Sequence, residues 1–261
     1  MSMTTMIEYA LMAGASYIDT RASVNRFPAP EGWAMSNHKS KDSGFEAVTF
    51  TNGTNIVISY AGTGPGSVFT QPDWGANAGL ATGYGSDQLL QAAEYYLQVK
   101  AANVGGNIIF TGHSLGGGLA ALMGVFFGKQ AVTFDQAPFA KSAELNLLTP
   151  DVAVSLRSTL AAKLDSNLNR IYSDSDLSGL TNFLQLRQAN GGIPNSNLVT
   201  DINVKGEVLS SAPATLYNRI GTQTDIDNYP YGVSGTDLHS QALLSAFPTK
   251  GNQRGQLRIS F

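Results

Sequence analysis

The stretch from Asn107 to Phe127, NIIFTGHSLGGGLAALMGVFF, constrains the fold more than any other part of the chain. It opens with an apolar run, Ile108-Ile109-Phe110, that reads as a short buried strand. It turns through Gly112-His113-Ser114-Leu115-Gly116 and closes with an alanine- and leucine-rich segment, Leu119 to Phe127, that reads as a helix packed on a sheet. Strand, G-x-S-x-G and helix in that order form a nucleophile elbow. The glycines answer a crowding problem: the neighbours two residues either side of the serine must lack a Cβ for strand and helix to approach. This geometry pushes the Ser114 hydroxyl into the open. It also places the Leu115 backbone N–H at a helix N-terminus, where it can donate to a developing oxyanion. In a chain with 28 glycines the pentapeptide alone is weakly specific, and its flanks carry the reading.

Composition narrows what such an elbow can serve. At 261 residues the chain can bury a sizeable core as one α/β domain. A net charge of −3 with 13% charged residues provides no basic patch, which argues against a nucleic-acid partner. There is no cysteine, so disulfides, thiol chemistry and zinc–thiolate sites are excluded. The three histidines, His38, His113 and His239, show no metal-ligand spacing, and no metal is expected. The first residues, MSMTTMIEYALMAGASYID, lack a basic region and a long apolar run, so no Sec signal peptide and no transmembrane segment are expected. Cytoplasmic residence and secretion by a non-Sec route are both compatible with that reading.

In chain order, Thr4 to Thr20 has helical apolar spacing, and Phe27 to Trp33 is a proline-broken loop. Gly44 to Ala61 reads as a hairpin turning at Asn52-Gly53, its second strand almost continuously apolar, as for a strand covered on both faces. Tyr84 to Ala101 reads as the helix before the elbow strand, and Gln130 to Pro138 as a strand leaving toward a loop. Lys141 to Ser196 is leucine-rich without strand alternation. It reads as a helical insertion forming a cap over the site, at 141–200; a plain helical side layer of the sheet is the alternative. Asn218 to Asp227 reads as an edge strand and Leu257 to Phe261 as a terminal one.

After the strand that ends at Ala61 come Gly62-Thr63 and, past a short loop, Asp73-Trp74 with Asn77. This pattern resembles the oxyanion-loop region of the class 3 lipases. Gln130 to Pro138 is similar to the V-T-F-G-x-P segment of those enzymes, with Asp135 where glycine is usual, and Ala61 stands where they usually have arginine. The resemblance covers about Gly44 to Pro138. It implies an α/β-hydrolase fold: a mostly parallel central sheet flanked by helices in a single domain over 1–261. It further implies that the Thr63 and Leu115 backbone N–H groups form the oxyanion hole.

A serine hydroxyl needs an imidazole to take its proton. His239 is the one histidine downstream of Ser114, in a loop followed by a short apolar segment. His113 reads as packing that points away from the nucleophile, and His38 as a surface residue. The acid has several candidates: Glu207 after a strand and a glycine, Asp176 at another strand-like end, then Asp201 and Asp225. In the class 3 pattern the acid follows a strand and a glycine and precedes a valine, with proline soon after. Gly206, Glu207, Val208 and Pro213 fit it. The sequence thus predicts a serine carboxylester hydrolase of lipase or esterase type, built on Ser114, His239 and Glu207. It would need no cofactor, take a lipid or small-molecule ester as substrate and touch lipid interfaces transiently. Phospholipase A1 activity, acyl transfer by the same triad, and a non-catalytic binding module are the competing readings.

Overall fold

The computed structural model describes residues 4–19, 21–23, 26–62, 87–145, 150–166, 172–210, 217–227 and 239. Its frame is a seven-stranded sheet whose spatial order equals its chain order: β1 (Ala34–Ser40), β2 (Glu46–Thr51), β3 (Asn55–Tyr60), β4 (Asn107–His113), β5 (Ala131–Phe134), β6 (Val199–Val204) and β7 (Thr222–Ile226). β1, β2 and β3 pair antiparallel. From β3 to β7 every pairing is parallel. The predicted hairpin is β2–β3, turning at Gly53 with φ 85°.

Strand order and handedness together fix where the helices go. Each parallel crossover steps to the next strand in the same direction, and right-handed crossovers then place all connecting helices on one face. That face carries α2 (Asp87–Ala102), α3 (Leu115–Phe127), the short α4 (Ala140–Ala143), α5 (Val152–Ser166) and α6 (Ser178–Asn190). The opposite face is covered by α1 (Met6–Ala15), which packs on β4 and β5. The apolar strands serve both layers. Ile56, Ile58, Tyr60, Ile108 and Phe110 enter the core on the side of α2 and α3, while Val57, Ile109, Val132 and Phe134 enter the core beneath α1. This is why β3 and β4 read as unbroken apolar runs instead of alternating ones.

α1 starts at a capping box, Thr5 accepting from the Glu8 N–H while the Glu8 carboxylate accepts from the Thr5 N–H. α3 is buried along its whole length, as a helix apolar all round must be. One side lies on the sheet and the other is covered by α6. Phe183 of α6 sets its ring 4.9 Å from that of Phe126, edge to face. Asn195 donates to the Val125 carbonyl at 2.8 Å. Lys100 of α2 pairs with Asp176 at 2.8 Å, and Lys163 of α5 reaches Glu94 of α2.

These contacts are made from within the segment read in sequence as a cap, 141–200. Of its described helices, α5 packs on α2, while α6 packs on α3 with Gly179 against Phe127, the last residue of α3. An α3 of 13 residues spans about 20 Å, so its last turn stands well away from Ser114. Among the described residues no helix is long and apolar enough to cross a membrane. The expected terminal strand at Leu257 to Phe261 lies outside the described residues.

Candidate active site

β4 ends in His113, and the chain then folds back sharply at Ser114, with φ 58° and ψ −125°, a backbone conformation that L-residues rarely adopt. The bend is pinned from three sides. The Ser114 N–H donates to the Phe134 carbonyl at 3.0 Å, and its carbonyl accepts from Gly118 at 3.0 Å and Ala137 at 2.9 Å. Two glycines permit it. A Cβ on Gly112 would sit 2.4 Å from the Gly116 backbone, and one on Gly116 would sit 2.0 Å from the Tyr60 carbonyl oxygen. Leu115 is the first residue of α3, so its backbone N–H belongs to the helix's first turn, which has no intrahelical acceptor.

The structure brings Ser114, His239 and Glu207 together. His239 Nε2 lies 2.9 Å from Ser114 Oγ, and His239 Nδ1 lies 2.8 Å from Glu207 Oε2. All three side chains are buried or nearly so. Glu207 sits in the turn that follows β6, after Gly206 at φ 81°. Its Oε2 also accepts from the Leu209 N–H at 2.7 Å, and its Oε1 accepts from Ser210 Oγ at 2.7 Å and Arg219 Nη2 at 2.6 Å. Burial raises the affinity of this carboxyl for a proton. The hydrogen bond and charge of His239, the Arg219 guanidinium and the Ser210 hydroxyl outweigh it and hold the pKa at about 2.

The other acid candidates lie elsewhere. Asp176 completes a capping box with Ser173 and pairs with Lys100, so it closes a 3₁₀ turn instead of facing Ser114. Asp201 is fully buried, accepts from Thr133 Oγ1 at 3.0 Å and lies 3.9 Å from Arg219 Nε; burial raises its pKa to about 6. Asp225 is exposed on β7. Thr63 lies outside the described residues. Gly62, just before it, receives support from Tyr17, whose hydroxyl accepts its N–H at 2.8 Å, and a Cβ there would fall 3.5 Å from Ser114 Cβ.

His113 departs from the expectation that it points away. Its ring stands 4.6 Å from the His239 ring at 44°, and it hydrogen-bonds the His239 backbone. The reason is that the bend at Ser114 turns the chain so sharply that strand alternation no longer separates neighbouring side chains. Asp135, at φ 42° in the slot usually filled by glycine, accepts from the Val204 N–H at 2.8 Å, and its Oδ2 lies 4.0 Å from His113 Nε2. Burial and the neighbouring Glu207 raise its pKa well above the usual carboxylate range. Arg219, Ser210 and Asp135 were not singled out as site residues by sequence. Asp135 alone left a signal, as a polar residue in a glycine position.

Two groups gather three potential metal-ligating side chains among the described residues: His113, Asp135 and His239, and Asp19, His38 and Glu46. In the first, both ring nitrogens of His239 are engaged by Ser114 and Glu207. In the second, Glu46 Oε1 accepts from the Ile18 and Asp19 N–H groups and lies 3.0 Å from His38 Nε2, with His38 partly exposed on β1. Hydrogen bonds join the second group, and in the first both ring nitrogens of His239 are already taken.

The model of the phospholipase-like family, described as a Tle-like phospholipase domain, matches residues 9–149, more than half of the chain. The chain belongs to this phospholipase-like family. The matched span of this phospholipase-like chain runs from α1 through the elbow, Ser114 and α3 into the α4–α5 connection. Over 95 residues, 36% of its length, the chain is 41% identical to the extracellular phospholipase A1 of Serratia liquefaciens, and the match spans 28% of that relative. Among solved structures, MDLA of Penicillium cyclopium, in a mutant form, matches at 14% identity with a TM-score of 0.45, over 88% of this chain and 82% of that one. The lipase from Rhizopus microsporus var. chinensis matches at 15% identity with a TM-score of 0.46, over 88% and 80%. The parallel sheet, the elbow after β4 and the one-faced helix layer make this an α/β-hydrolase fold.

Proposed function

We propose that this chain is a serine ester hydrolase that cleaves acyl esters of lipids, with Ser114 as nucleophile, His239 as general base and Glu207 as the acid that orients it. The observation carrying this reading is the continuous line of hydrogen bonds from Ser114 Oγ through both nitrogens of His239 to Glu207, set on a nucleophile elbow. In the first half-reaction Ser114 Oγ attacks the ester carbonyl as its proton passes to His239 Nε2. Glu207 accepts the Nδ1–H and stabilises the imidazolium. Negative charge on the carbonyl oxygen is met by the Leu115 N–H at the start of α3, and by the Thr63 N–H as the second donor. His239 then protonates the departing alcohol. In the second half-reaction it activates a water that frees the acid and restores Ser114.

A phospholipid is the favoured substrate class within this reading, because the family model and the Serratia relative both carry phospholipase names. Phospholipase A1 action, release of the sn-1 acyl chain, is therefore the specific alternative to neutral lipase or esterase action. One experiment separates them: fluorophosphonate labelling, followed by hydrolysis of p-nitrophenyl esters, a triglyceride emulsion and phosphatidylcholine with positionally distinct acyl chains. Labelling of Ser114 with loss of turnover in Ser114→Ala supports the hydrolase. Wild-type protein that is neither labelled nor active on any ester overturns it.

A further inference from the structure

We infer that His113 is a positioning residue: its ring, and its hydrogen bond to the His239 backbone, fix where the base stands relative to Ser114. The inference rests on the ester-hydrolase reading above.

Two hydrogen bonds hold His239 at its two ring nitrogens, one to Ser114 and one to Glu207. Bonds at both nitrogens leave the ring able to pivot about the line joining them. Pivoting keeps both distances short while it tilts the ring plane and shifts the main chain that carries the ring. A second ring set 4.6 Å away at 44° blocks that motion on one face. The hydrogen bond from His113 to the His239 backbone then anchors the main chain from which the base hangs.

The position of His113 in the chain is what makes this anchor effective. It ends β4 and directly precedes Ser114, whereas His239 arrives 125 residues later. Residue 113 therefore refers the base to the same strand end that carries the nucleophile, and any shift of the elbow moves both together.

His113 also carries the right charge for the task. Burial, the adjacent His239 and the more distant Arg21 lower its pKa well below the usual imidazole value. It stays neutral, so the proton that His239 gains in each half-reaction meets no second cation. The groups facing it are His239, Asp135 from the end of β5 and Arg21 from the segment after α1. An inert filler at this point needs volume and nothing more.

The test uses the full chain with His113→Phe, which keeps a flat ring and deletes the donor, and His113→Asn, which keeps a donor and removes the ring. Positioning predicts that His113→Phe lowers kcat and the fluorophosphonate labelling rate of Ser114 together, by about 10- to 100-fold, because a small misplacement of the base costs on that order. KM stays within about twofold, since substrate binding is untouched. His113→Asn falls between that variant and wild type in both rates. A folded variant of either kind with wild-type kcat and wild-type labelling overturns the inference, as does a loss of kcat without a loss of labelling. Should His113→Phe fail to fold, the Asn variant alone decides by the same criteria. Wild-type protein inert to esters and to the fluorophosphonate instead overturns the hydrolase reading itself.

Discussion

Glu207 and Asp201, both fully buried near Arg219, respond to pH in opposite senses. Glu207 has its folded-state pKa depressed to about 2 from an ordinary 4.5, so its contribution to stability is complete above pH 4.5 and is lost as pH falls toward 2. Asp201 has its pKa raised from 3.8 to about 6, so the folded state loses stability as pH climbs through that window. Denaturant unfolding at several pH values should therefore show that Glu207→Gln flattens the acid limb and Asp201→Asn flattens the rise-to-neutral limb. Glu207→Gln should also lower kcat by about 10³- to 10⁴-fold, while Asp176→Asn, a cap residue, leaves it within about twofold. Reversal of that pair in steady-state kinetics would reassign the acid. Ser114 and His239 were legible in the sequence because a motif marks one and the absence of any other downstream histidine marks the other. Arg219 was not, because its partners Asn203 and Glu207 meet it only after β6 has paired with β7.

The elbow is the element whose tolerance is smallest. Gly116→Ala sets a Cβ on the Tyr60 carbonyl, a contact that only backbone movement relieves, and should cost on the order of 3 kcal/mol of stability together with turnover. Phe183→Ala should cost about 3–5 kcal/mol, since it empties the contact with Phe126. Folded Phe183→Ala protein should keep its kcat, because the change lies at the far end of α3 from Ser114; calorimetry and active-site titration together separate the two effects. The same elements show what a sequence tells. β3 and β4 announced themselves through apolar runs. β1, AMSNHKS, did not, because an exposed edge strand needs few apolar residues, and this one carries a register shift between Met35 and Asn37. The leucines of α5 and α6 revealed an apolar face, but spacing does not say which surface that face will meet.

Across the molecule, the chemistry gathers at one edge of the sheet. Ser114 follows β4, Asp135 follows β5 and Glu207 follows β6, each at the carboxyl end of a parallel strand, where open α/β sheets present their ligand-binding crevices. This gathering was readable in outline from strand, glycine and acid in succession; the polar network around Arg219 was not. Because the spatial order of the strands equals their order in the chain, the sheet can be laid down neighbour by neighbour as the polypeptide emerges. His239, the proposed base, comes 125 residues behind Ser114. At about 5–20 residues per second, that interval takes on the order of 6–25 s of synthesis. For that interval a ribosome making this protein holds a chain whose Ser114 has been made and whose His239 has not, so on the proposed mechanism the nascent serine has no group to take its proton.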